Sequence, residues 1–231
     1  IRKLLFRPPE DILSRLKNDF SMALNLLLSQ TPQDIRGIFE RSLAAYQQEK
    51  RSRDAAPGAV KNLWLDFCKH LEFLKAENFV DKDERLTEDG RWAAKLRLDS
   101  PLMIAECLRR NALPADNEKL LAAIVSMFAY DRDAEIRVEI KSIAPKLLAA
   151  LKSAITAVRP LAKKLDGAGF SVSPLYPAAG AAMYVWAQGR DWDHLIKTTG
   201  MAEGDLATLI LRTADNLRQI GALKDTHPEV A

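Results

Sequence analysis

Apolar residues recur at three- and four-residue steps along most of this chain, and that period commits it to helices before any motif is read. Leu13, Leu16, Phe20, Ala23 and Leu27 form one stripe. After a break at Ser29-Gln30, Thr31-Pro32 reads as an N-cap followed by a first-turn proline, with Asp34 suited to the positive helix end. Ile35, Ile38, Phe39, Leu43 and Tyr46 carry that second helix. Gln47 to Gly58 is polar, charged and closed by Pro-Gly, a loop or insertion point. Val60, Leu63, Trp64, Phe67, Leu71 and Leu74 give a third helix.

The segment that follows departs from the helical period. Phe79-Val80 and Arg85-Leu86-Thr87 flank a charged turn, which predicts a small β-hairpin, with Thr87 placed to cap the helix holding Trp92 and Ala93. Helix, short hairpin and helix is the grammar of a winged helix.

Beyond Asp99 the pattern is helical again. Ser100-Pro101 predicts a capped start for a helix through Leu108. Asp116 or Asn117 opens a helix to Tyr130, and a long helix runs from about Lys141 to Leu165 with a kink at Pro160. Ala178 to Gln188 is a buried helix closed by Gly189. Asp191 to Lys197, the turn Thr199-Gly200-Met201, and Glu203 to Ile220 read as a short helix, a tight turn and a longer helix, like a helix-turn-helix. The fold class expected is therefore mainly α: a winged-helix module with a small β-hairpin over 1–98, then an α-helical bundle over 99–231 ending in a helix-turn-helix-like pair.

Charge and motif content narrow the chemistry. The 231 residues carry 34 Lys+Arg against 31 Asp+Glu, a net charge of +3, so the chain is no polybasic coat. Any nucleic-acid contact must come from a few placed groups or from a neighbour. No phosphate-binding G-x-x-x-x-G-K-[ST] loop, G-x-S-x-G elbow or H-E-x-x-H pair is present. Cys68 and His70 are two apart and so point to different helix faces, a poor metal arrangement. Asp191, Asp193 and His194 sit at a helix start, where capping explains them. Asp131, Asp133 and Glu135 follow a helix end. No catalytic and no metal-binding residue is expected. Gly167 to Gly189 has no charge, but prolines and serines interrupt it, so no membrane span is expected. Two distant cysteines fit a reducing cytoplasm. The first residue is Ile1, and the chain is expected to begin inside a larger gene product.

Nucleic acid is the better candidate ligand. The last helix carries Arg212 and Arg218, six apart and off one narrow stripe, with Leu206, Leu209, Ile210 and Leu217 for packing. Taken alone, both arginines read as solvated surface residues. Trp186 and Trp192 could stack on bases, but Trp186 lies in an apolar helix and is expected in the core.

Several segments, in order, resemble the C-terminal region of the superkiller-like DExH-box RNA helicases, whose final domain is called DSHCT. They are Ser14 to Leu27, Phe39-Glu40-Arg41-Ser42-Leu43, Leu86-Thr87-Glu88-Asp89-Gly90-Arg91-Trp92-Ala93, Asp99 to Glu106, Ser126 to Tyr130, Met183 to Gly189, and Leu195 to Leu206. The resemblance implies a winged helix and a helical bundle that pack on a RecA-like helicase core. It also implies a ratchet-like helix touching bases of a threaded single strand, with the base-contacting arginine matching Arg212. The family's acidic partner position falls on Arg132, with Asp131 adjacent, a departure from the pattern. Arg218 is the further nucleic-acid candidate on the same helix. The short Gln47 to Pro57 loop, where eukaryotic members insert an arch, resembles a bacterial, arch-less type. The implied partners are single-stranded RNA or DNA and the protein's own helicase core. No cofactor is expected in this segment, and ATP and Mg are expected in the missing core. Two other readings compete: a stand-alone helix-turn-helix DNA-binding protein and a helical protein-interaction scaffold. Asp205 and Asp215 beside the arginines keep the last helix near neutral, which disfavours duplex reading.

Overall fold

The computed structural model describes residues 17–47, 63–98, 100–130 and 144–230. It is mainly helical. Among the described residues no strand forms. The chain divides into two compact units, Ile1–Thr87 and Glu88–Ala231.

In the first unit, α1 (Phe20–Leu27), α2 (Pro32–Glu40) and α3 (Leu63–Ala76) pack through aromatic rings. Helix α1 itself begins at Phe20. Asp19 is the N-cap, accepting from the Met22 amide at 2.7 Å, while Leu13 and Leu16 lie outside the described residues. The Thr31 start is observed as a full capping box: the Asp34 amide donates to Thr31 Oγ1, and the Thr31 amide to Asp34 Oδ2. The Thr31 hydroxyl and amide hold the Asp34 carboxyl below its usual range. The stability this supplies is present above the ordinary carboxylate pKa and is lost as pH falls through the lowered value. Ile35 and Phe39 are buried, but Ile38, Leu43 and Tyr46 are exposed, because α2 stops at Glu40 and Ile38 lies off its buried edge.

His70 is buried against Phe20, ring centroids 4.8 Å apart, with Nδ1 2.7 Å from the Asp66 carbonyl. A carbonyl can only accept, so Nδ1 carries the hydrogen. Cys68 is half-exposed, and its thiol is pushed up by partial burial and by Glu72.

The expected hairpin shrinks to one isolated antiparallel bridge, Val80 to Leu86. Its turn is tight: the Asp81 amide donates to the Arg85 carbonyl at 2.8 Å, and Asp81 Oδ1 accepts from the Asp83 and Arg85 amides. The arms are too short for a ladder, since helix resumes at Glu88. The Thr87 hydroxyl donates to the Asn78 and Phe79 carbonyls.

The second unit is built around α6 (Glu118–Ala129), capped by Asn117, whose side chain accepts from the Leu120 amide at 3.0 Å. Nine of its residues are buried, from Leu120 to Ala129, so it is apolar on all sides and must be enclosed. Enclosure comes from α5 (Pro101–Arg109), α7 (Pro145–Gly167), α8 (Pro177–Ala187) and α10 (Glu203–Gly221). Buried Ser126 donates to the Ala123 carbonyl of its own helix, so it adds no unpaired group to this core. Ser100 sits at the α5 N-cap position but makes no side-chain capping bond, and Pro101 marks the start alone. The α7 helix runs on through Pro160, an exposed position.

The short α4 (Glu88–Ala93) is tied to α5 through Asp89, which accepts from Trp92 Nε1 at 3.1 Å and from Arg109 Nε at 2.7 Å. The C-terminal segment returns to the same place, with the His227 ring edge-on to Trp92 at 4.6 Å. Buried Cys107 has its thiol pushed up to about 12 by burial, so it is a packing residue.

Candidate nucleic-acid interface

The last two helices hold the candidate contact residues. The short α9 (Trp192–Thr199) opens on Asp191, which accepts from the His194 amide at 2.8 Å, as expected of a capping acid. That amide holds the Asp191 carboxyl below its usual range. Gly200 closes α9 in the left-handed region, φ 65°, where a side chain would be strained. Buried Met201 then anchors the turn, and α10 leaves it.

One face of α10 is committed to the core. Leu206, Leu209, Thr213, Asn216 and Ile220 are buried, and Leu206 and Leu209 join Ala179, Ala182, Met183, Leu195 and Met201 in one cluster. The C-terminal half of α10 is pinned by Gln219. Its amide oxygen accepts from the Arg97 amide, and its Nε2 donates to the Arg97 carbonyl at 3.2 Å. The helix is therefore fixed in rotation, and so is the direction of each remaining side chain.

At about 100° per residue, Arg212 lies on the flank of α10 and Arg218 is about 120° further round. Arg212 is half-buried, while Arg218 is exposed and paired with Asp215 at 2.8 Å. The two arginines thus do not converge on one point, and an ion pair this exposed adds little stability. Asp131 and Arg132 lie outside the described residues.

Two surface features were not anticipated. Leu211 stands opposite the buried face of α10 and is 70% exposed. Its signal was its position beside Ile210, out of register with Leu206 and Leu209. Trp186, expected in the core, is 41% exposed. The buried residues of α8 run from Ala179 to Met183, and Trp186 falls in the last turn beyond them. Trp192, at the start of α9, is also exposed. Both rings are available for stacking.

Among the described residues no group of three or more His, Cys, Asp or Glu could hold a metal ion. No described helix is long and apolar enough to cross a membrane.

A family model described as the DSHCT (NUC185) domain matches residues 83–231. The chain is similar to "Probable helicase HelY" of Mycobacterium tuberculosis, 30% identical over 95 residues, which are 40% of this chain and 10% of that protein. It is similar to "DExH-box ATP-dependent RNA helicase DExH15 chloroplastic" of Arabidopsis thaliana, 23% identical over 236 residues, 94% of this chain and 19% of that one. It is also similar to "mRNA transport homolog 4" of Caenorhabditis elegans, 22% identical over 198 residues, 81% and 18% of the two chains. The matched regions thus span between a tenth and a fifth of the length of these curated relatives.

Proposed function

The chain belongs to the DSHCT (NUC185) domain family, and we propose that it is the C-terminal accessory region of an ATP-dependent DExH-box RNA helicase. In this reading it packs on a RecA-like core in the cytoplasm. The core supplies ATP and Mg binding, and this region touches the threaded single strand. The family match carries the proposal, supported by relatives that are named as helicases. Residues 1–98 are read as a winged-helix-like module, supported by the order α3, tight turn, α4. Residues 99–231 are read as the bundle.

Within the bundle, α10 is the ratchet-like helix. What supports this is its immobilisation: its inner face is buried, and Gln219 clamps its far end to Arg97. A contact element that must not yield under a moving strand needs such anchorage. Arg212 is the proposed base-contacting residue. A guanidinium can stack on a base or bond its edge without reading sequence. Asp131 and Arg132 stand as secondary candidates, and Arg218 as a rim contact. The duplex-reading alternative is weakened by the Asp215–Arg218 pair, which offsets charge on the exposed face.

The test uses the 231-residue chain itself. It should release no phosphate from ATP above the buffer rate. In fluorescence anisotropy it should bind a labelled 20-nucleotide oligouridine more tightly than a 20-base-pair duplex. ATP turnover, or preference for the duplex, would sink this reading.

A further inference from the structure

The overall charge of +3 conceals a local segregation on α7. From Pro145 to Leu165 this helix contains Lys146, Lys152, Arg159, Lys163 and Lys164 and no acidic residue; the first acid, Asp166, comes in its final turn. Its inner stripe, Leu147, Leu151, Ala154, Val158, Leu161 and Leu165, is buried. Helical geometry puts Lys152, Arg159 and Lys163 within an arc of about 40° on the outward side, spread over roughly 16 Å of axis. The hydroxyl of Thr156 lies in the same row, and all four residues are exposed. None of the three cations makes an ion pair with a described residue, unlike Arg36, Lys75, Arg109, Arg110 and Arg218. Like charges this close repel one another, and the helix's one acid, exposed Asp166, lies beyond the far end of the row.

We infer that this row is a docking surface for the phosphate backbone of a single nucleic-acid strand, separate from the Arg212 contact. Three features select that partner. Lysine, arginine and hydroxyl side chains are the groups that bind phosphate oxygens. The α7 face carries no exposed large apolar or aromatic side chain, so it lacks the anchors that protein partners use. It is also one narrow row, with Lys146 and Lys164 displaced about 120° round the helix, and a single row grips one backbone where a duplex presents two. The surface takes phosphates and leaves bases to other elements. It would hold the strand by charge while α10 touches bases, so each contact can fail without the other.

The experiment uses the whole chain with labelled 20-nucleotide oligouridine at several salt concentrations. Each phosphate contact on a single strand contributes about −0.7 to the slope of log K against log salt. Lys152→Ala, Arg159→Ala and Lys163→Ala combined should flatten the slope by about 2 and weaken binding at least ten-fold at about 50 mM salt. Alanine preserves helix propensity, so the circular dichroism melt should hold and show that the variant is folded. Lys152→Arg with Lys163→Arg should keep the slope. Arg212→Ala, with α7 intact, should change the slope by less than 1. Unchanged slope and affinity in the folded triple variant would overturn the inference. So would tighter binding to a duplex, or displacement of the oligouridine by polyglutamate of equal charge at equal concentration, which would mark an acidic protein partner.

Discussion

Gly180→Ala should destabilise the protein by about 2–3 kcal/mol, although alanine is intrinsically the better helix former by nearly 1 kcal/mol. A Cβ at Gly180 would stand 2.8 Å from the Ala123 carbonyl oxygen and 2.9 Å from a Leu151 methyl. The methyl could move. The carbonyl belongs to the backbone of α6, which is enclosed on all sides, so α8 itself would have to retreat. Retreat opens the contact between Ala179, Ala181 and Ala182 and the centre of the bundle, a close approach that small residues alone permit. In thermal unfolding followed by circular dichroism the midpoint should fall by roughly 4–12 °C. Gly204→Ala is the control, since nothing lies within 4 Å of a Cβ there. It should leave the midpoint unchanged or raise it slightly. Equal behaviour of the two variants would mean that α8 and α6 do not approach as closely as described.

Arg212→Ala should separate unwinding from ATP hydrolysis. In the full-length helicase of which we propose this chain to be part, the ATPase sits in the core, and Arg212 is the proposed contact to the strand. Removing one base-stacking contact costs about 1–3 kcal/mol. The unwinding rate should therefore fall roughly ten-fold, with RNA-stimulated ATP hydrolysis kept within about two-fold. Arg212→Lys should rescue little, because an ammonium lacks the planar face. If unwinding and ATPase fell together, with a lowered melting midpoint, Arg212 would be a packing residue of the bundle.

Helix starts were legible because they depend on local chemistry. Thr31 and Asn117 cap their helices through bonds from amides three residues on, and Asp191 does the same for α9. Gly200 was legible as a turn because so few residues accept its backbone. What was not legible depends on distant partners. Trp186 sits in an apolar sequence but ends exposed, because the face that α8 buries is chosen by the approach at Gly180. The hairpin was overestimated because pattern alone cannot tell that its arms end before a ladder can form. Of the candidate site, the pattern placed Arg212 and Arg218 on one helix and off one narrow stripe; that Arg212 is half-buried while Arg218 is exposed and held by Asp215 follows only from the fold. The α7 row was in plain view as Lys152, Arg159 and Lys163 spaced by seven and four. A near-neutral total hid it.

The central claim is that α10 meets the bases of a single strand. Photocrosslinking with oligouridine carrying 4-thiouridine tests it most directly, because the reactive atom is on the base. We predict crosslinked peptides that map to α10 around Arg212 and are lost in Arg212→Ala, with α7 uncrosslinked because it holds phosphates. Base crosslinks confined to other elements, or unaffected by Arg212→Ala, would contradict the account.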